Sequence, residues 1–157
     1  MIQTPLKVNQ DINAFKSALH SIVESKKPGI YFLCYYTNGK PRAIQRLHGS
    51  DKNGVLYIGM TEGALFDRVS NLQHALLANS KLEMQKPASS GHTQMGLKYF
   101  RIRNKVPIDS LFIHILPDDS PKQAESEALE NYVNAFAELP PLNGQYGSCT
   151  PNWSKYH

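Results

Sequence analysis

Between Asp11 and Ser25 the apolar residues Ile12, Phe15, Leu19, Ile22 and Val23 recur at helical spacing, which predicts an amphipathic helix opening the chain. Lys26-Lys27-Pro28-Gly29 ends it, since cations favour a helix C-terminus and Pro and Gly stop the element. The run Ile30 to Tyr36 (IYFLCYY) is apolar and aromatic throughout, the pattern of a strand covered on both faces. Thr37 to Gly54 is polar and turn-rich, with Asn38-Gly39 and Asn53-Gly54 at its ends, and a connection of that length is usually functional or mobile. Val55 to Met60 predicts a second strand. Thr61 is then a candidate N-cap for a helix whose stripe is Leu65, Val69, Leu72 and Leu76. Lys81 to Gly91 reads as irregular, and the pattern of Thr93 to Lys105 decides no element. Leu111 to Leu116 predicts a third strand, followed by a turn at Pro117-Asp118-Asp119. Ser120-Pro121-Lys122-Gln123 has the form of a capping box with Pro at the first helical position. The helix it launches carries Ala128, Leu129, Tyr132, Val133 and Phe136 on one side and is expected to run to Pro140-Pro141. The order α-β-β-α-β-α, with one undetermined stretch, predicts an α+β fold: a small three-stranded antiparallel sheet flanked by helices, with an extra N-terminal helix.

Composition adds bounds to this picture. A chain of 157 residues, 41% hydrophobic and 19% charged, suits one globular domain large enough to bury a core without metal or disulfide staples. The apolar run Ile30 to Tyr36 falls far short of the roughly 20 residues of a membrane helix, and Met1 to Gln10 has no apolar signal-peptide core. Cys34 and Cys149 are the only cysteines. They are too few for a four-cysteine zinc site or a disulfide framework, and the expectation is a cytoplasmic protein. The net charge of +4 divides unevenly: residues 1–105 hold 15 Lys/Arg against 6 Asp/Glu, and residues 106–157 hold 2 against 7. The basic part can attract a polyanion such as DNA.

Two tripeptides sharpen that reading. Gly29-Ile30-Tyr31 on the first predicted strand and Tyr57-Ile58-Gly59 on the second resemble the paired signatures of the GIY-YIG nucleases. The downstream order is similar as well: Arg68 on the next helix, then Leu129-Glu130-Asn131 followed by Pro140, Pro141, Leu142 and Asn143. The resemblance covers about residues 28–144, which implies a nuclease domain over that span. Residues 1–27 are then a helical extension and residues 145–157 a tail, all within one globular unit. It implies a metal-dependent DNA endonuclease using Mg²⁺ or Mn²⁺. Glu130 would be the protein's metal ligand, in keeping with the habit of Mg²⁺ to take one carboxylate plus waters and substrate phosphate; Glu127, one turn earlier, competes for the role. Arg68 would clamp the scissile phosphate through its planar fork. Tyr31 would act as general base and Tyr57 would position water or phosphate, although a free tyrosine titrates near 10 and needs a cation beside it to work at neutral pH. Asn143 would either tie the chain back to the active-site side or cap it after Pro140-Pro141.

The chain also departs from the family pattern. Many members carry Tyr or His one helical turn after the Arg, where this sequence has Leu72. His74 points away from the stripe on a continuous helix, so His92, expected in a loop at Ser89-Ser90-Gly91-His92, is the candidate replacement. Lys40, Arg42 and Arg46, in the insert between the signature strands with His48 and Lys52, are expected to track phosphates at the rim of the site. Lys98, Arg101 and Arg103, interleaved with Tyr99 and Phe100, form either a stacking and phosphate surface or the solvated face of a strand or helix. No appended DNA-recognition unit is legible. A double-strand break by one such site per chain would call for a homodimer or two successive nicks. The departure at Leu72 keeps a second reading open, a catalytically inactive nucleic-acid-binding module on the same scaffold.

Overall fold

The aromatic run becomes the central strand because both of its faces find a cover. In a computed structural model, which describes residues 4–84, 90–150 and 153–156, the chain opens with β1 (Leu6–Lys7) and α1 (Ile12–His20). β2 (Gly29–Thr37) follows, then the short strands β3 (Lys40–Pro41), β4 (Ile44–Gln45) and β5 (Ser50–Asp51), and then β6 (Val55–Thr61). α2 (Leu65–Leu77), α3 (Lys81–Met84), α4 (Ser90–Ile102), β7 (Leu111–Pro117) and α5 (Pro121–Phe136) complete the order. The fold is α+β. β2 lies between β6 and β7, antiparallel to both, so that Tyr31 faces Gly59 on one side and Ile115 on the other. β1 adds to the outer edge of β7, and β3 folds back on the far end of β2. The predicted three strands are therefore the centre of a larger sheet whose two-residue edge strands are too short to show in a periodicity. Among the described residues no helix is long and apolar enough to cross a membrane.

Strand alternation sends Tyr31 and Leu33 to one face, where they join Phe15 and Leu19 of α1, Val69, Leu72 and Leu76 of α2, and Tyr99 of α4. Cys34 and Tyr36 point to the other face and meet Leu129 and Tyr132 of α5. Leu72 is fully buried in the first of these layers, which accounts for an apolar residue at that position. Gly29 is where β2, β7 and α2 converge. A Cβ there would lie 2.7 Å from Leu65 Cδ1 and 2.8 Å from Pro117 Cα, so only a glycine admits the close approach.

Several local expectations need correction. α1 stops at His20, capped by Asp11, whose carboxylate accepts from Asn13 N (3.0 Å) and Ala14 N (3.2 Å). Ile22 and Val23 still pack on the core beyond its end. Thr61 does not cap α2: its hydroxyl accepts from Gly63 N at 3.1 Å, and Ala64 is the N-cap. The capping box at Ser120 is not formed either. Its side chain caps nothing, and its N–H donates to Asp118 Oδ1 at 2.6 Å. α5 ends before Pro140, because Ala137 turns left-handed (φ 63°). The undetermined stretch after Thr93 is helix α4, and it takes in Gly91 and His92; part of the irregular segment expected before it, residues 85–89, lies outside the described residues.

The connection between the signature strands is built in. Asp51 is buried and accepts from Asn53 N (2.9 Å), Val55 N (2.8 Å) and Tyr132 Oη (3.0 Å), which ties the loop to both β6 and α5.

Candidate active site

The two signature tyrosines meet because of the second signature's glycine. Gly59 stands opposite Tyr31 in the ladder, and a Cβ on it would lie 2.5 Å from the Tyr31 hydroxyl. The bare backbone lets the Tyr31 ring lie across β6, with its centroid 6.3 Å from that of Tyr57. Tyr31 is 2% exposed. Burial pushes its hydroxyl well above the ordinary tyrosine value, Tyr57 and Glu125 add to this, and the Arg68 guanidinium opposes it by charge and hydrogen bond. Tyr57 is raised by burial first, then by Glu125, again against Arg68. Both tyrosines are neutral phenols at physiological pH.

Arg68 reaches them from the first turn and a half of α2. The fourth member comes from α5 and is Glu125. Leu129, one turn further along, packs on the sheet, and this holds Glu125 over β6. Tyr31, Tyr57, Arg68 and Glu125 line one cleft lobe of about 480 Å³, together with Met60 and Tyr146. Burial raises the Glu125 pKa, with no other contributor. Among the described residues its carboxylate has neither hydrogen bond nor ion pair.

Glu130, the carboxylate selected by the family pattern, does not line this lobe. Five residues along a helix rotate a side chain by about 140°. Glu130 consequently faces the neighbouring groove with Ser126, Glu127, Asn131 and Lys155, where the Tyr156 hydroxyl donates to its carboxylate. Burial and that carboxylate push Tyr156 up to about 12. Glu127 is exposed on the same groove and accepts from Gln123 Nε2 at 2.9 Å. The signal that could have found Glu125 was available: it sits four residues before Leu129, as the one carboxylate on the apolar stripe of α5.

The remaining candidates divide. Lys98 is brought in: it lines an adjoining lobe of about 350 Å³ with Tyr57, Glu125 and Asn143, and its ammonium donates to the Leu142 carbonyl at 3.1 Å. Asn143 ties the chain back to the site. Its amide donates to Ile58 O and accepts from Ile58 N, both at 2.9 Å, so it holds β6 in place and has little left for a substrate. Arg103 is taken up at the end of α2, donating to Leu76 O (2.7 Å) and Ala78 O (2.8 Å), where carbonyls lack helical partners. Arg101 is exposed on α4.

The insert does not reach the rim of the cleft. Lys40 pairs with Thr37, six residues along β2 from Tyr31, roughly 20 Å away at a strand's rise. Arg42 lies over the Tyr35 ring, 5.2 Å from its centroid. Arg46 binds the end of α5, donating to Leu139 O (2.7 Å) and pairing with Glu138 (3.0 Å).

His92 is a helix residue, 3% exposed, with Nε2 lacking a hydrogen-bond partner. Burial and then the Arg68 charge lower its pKa from 6.5 to about 4, so it is a neutral imidazole at physiological pH. His74 is turned to α3 and contacts the Glu83 carbonyl at 2.7 Å. Because the unfolded chain takes up a proton on His92 before the folded one does, stability present above pH 6.5 is lost as the pH falls towards 4. Thermal melts over that window are expected to fall more steeply for the wild type than for His92→Leu, by about 3 kcal/mol in all; parallel curves would refute the burial of a neutral imidazole.

Among the described residues no group of three or more His, Cys, Asp or Glu side chains could hold a metal ion. A divalent cation at this site would rest on Glu125. That carboxylate suits a cation because it is half-buried, destabilised as an anion by its surroundings, and without a cationic partner of its own. Comparison of the chain with protein-family models, with curated proteins and with solved structures returns no match.

Proposed function

We propose that this chain is a metal-dependent DNA endonuclease of the GIY-YIG type, with Glu125 as the carboxylate of its site. The observation that carries the reading is the convergence of Tyr31, Tyr57, Arg68 and Glu125, from four separate elements, on one cleft. Arg68 binds the scissile phosphate through two parallel N–H donors and neutralises charge that grows during the displacement. The neutral Tyr31 and Tyr57 hydroxyls orient the attacking water and a non-bridging oxygen. Burial keeps Tyr31 protonated until positive charge accumulates beside it, and Arg68 already acts in that direction. Mg²⁺ or Mn²⁺ held by Glu125 would polarise the phosphate and stabilise the leaving oxygen. One site per chain implies nicking, with two copies needed for a concerted double-strand break.

Leu72, buried where many family members have a second proton-transfer group, favours the alternative of a binding module without catalysis. Supercoiled plasmid separates the two. Relaxed product is expected with Mg²⁺ or Mn²⁺, none with EDTA, and at least about 100-fold less with Arg68→Lys, which keeps the charge and loses the fork. Salt-sensitive plasmid binding by the wild type with no relaxation in either metal would instead establish the binding module.

A further inference from the structure

The cleft has two lobes, and the chemistry of phosphodiester cleavage occupies only one. The first holds Arg68; the second, against the same wall of Tyr57, Glu125 and Tyr146, holds Lys98. Their volumes, about 480 and 350 Å³, each match the roughly 300–1,000 Å³ of small-ligand sites. Lys98 donates one N–H to Leu142 O and has no carboxylate partner among the described residues, leaving an ammonium with two free donors in the lobe. Tyr146 is 52% exposed, and its hydroxyl has no hydrogen-bond partner among the described residues. The segment carrying it is anchored, by Leu142 N to Leu56 O at 2.8 Å and by the Asn143 amide on Ile58. A solvent-facing aromatic ring thus stands in the same lobe as a lysine that has no ion-pair partner among the described residues, next to the Arg68 lobe.

We propose that the second lobe is a subsite for the nucleotide adjoining the scissile phosphate: Lys98 takes its phosphate and Tyr146 stacks on its base. The inference rests on the endonuclease reading and narrows its substrate. An ammonium serves a non-reacting phosphate as a point charge, and a ring stacks on any base without reading sequence. A base can lie on Tyr146 only when it has left its own stack, so the preferred substrate is DNA with an unpaired nucleotide beside the cleavage point: a single strand, a flap or a frayed end.

The test is equilibrium binding of a single-stranded oligonucleotide containing 2-aminopurine, in EDTA, so that no cleavage is required. Wild-type protein is expected to quench the probe and to bind it at least about 10-fold tighter than the matching perfect duplex. Tyr146→Leu should abolish the quenching. Lys98→Met should reduce the slope of log affinity against log salt by about 0.7, the share of one phosphate contact on a single strand, and Lys98→Arg should restore it. A merely structural Lys98, acting through Leu142, would lower affinity at an unchanged slope. An unchanged slope in Lys98→Met, quenching that survives in Tyr146→Leu, or equal affinity for the perfect duplex would each overturn the subsite. Plasmid relaxation keeps the two readings apart: these binding signatures without relaxation sink the endonuclease alone, and relaxation without them sinks the subsite alone.

Discussion

Glu125→Gln is expected to lower metal-dependent plasmid relaxation at least about 100-fold and, in the same protein, to raise the melting temperature of the metal-free form at neutral pH. Both effects come from one carboxylate. Burial raises its pKa, so folding favours the protonated acid. The stability linked to that proton is complete below the unfolded value and is lost as the pH rises through the folded one. At neutral pH the wild type therefore carries an unpartnered, poorly solvated anion that glutamine removes, and the difference between the two melts should close in acid. Added Mg²⁺ should raise the wild-type melt and leave Glu125→Gln unmoved. Glu130→Gln is expected to keep most of the activity and only to weaken the Tyr156 hydrogen bond, whose acceptor becomes a neutral amide oxygen. Should Glu130→Gln be inactive and Glu125→Gln active, the metal role returns to Glu130, and the Tyr156 contact must open for catalysis.

The second large effect is on stability. Gly29→Ala should remove about 3 kcal/mol, or roughly 10 °C of melting temperature for a chain of this size. The added Cβ would overlap the Leu116 carbonyl and press on Pro117 Cα and Leu65 Cδ1. Two of these atoms are backbone of the paired strand β7 and cannot rotate aside, so β2 must part from β7 or α2 must lift. Calorimetry reads the outcome; a shift of only a degree or two would mean that the three elements do not meet as closely as their coordinates require. Gly29 is thus required for the packing of three elements, whereas Gly59 is required because the Tyr31 ring lies across its surface.

Much of this was written in local pattern. The seven apolar residues from Ile30 to Tyr36 announced a strand covered on both faces, and Leu129, Tyr132 and Phe136 announced the buried side of α5. Periodicity within one element depends only on that element's own geometry, so it is readable without knowing the neighbours. The pairing of Gly29-Ile30-Tyr31 with Tyr57-Ile58-Gly59 likewise placed two tyrosines on adjacent strands. The two-residue strand β1 and the helix α4 stayed hidden. The first is too short to show a period. The second mixes Gly96, Lys98 and Arg101 with apolar residues in a pattern that only packing against α2 resolves.

Which charges reach the cleft was a different matter. Among Glu125, Glu127 and Glu130 the choice turns on how α5 is rotated over β6. Leu129 and Tyr132 fix that rotation by meeting residues from β2 and β6, which are distant in sequence. Among the cations, Arg46 is drawn off to the Leu139 carbonyl beyond α5 and Arg103 to the carbonyls at the end of α2, while Lys98 is delivered by its contact with Leu142. Long charged side chains go to whichever partner the folded chain leaves unsatisfied within reach. Local pattern was thus enough for the three long strands β2, β6 and β7 and for the helices α1, α2 and α5. The tertiary structure decided which acid and which bases face one another, because the partners competing for each charge come together only when the chain has folded.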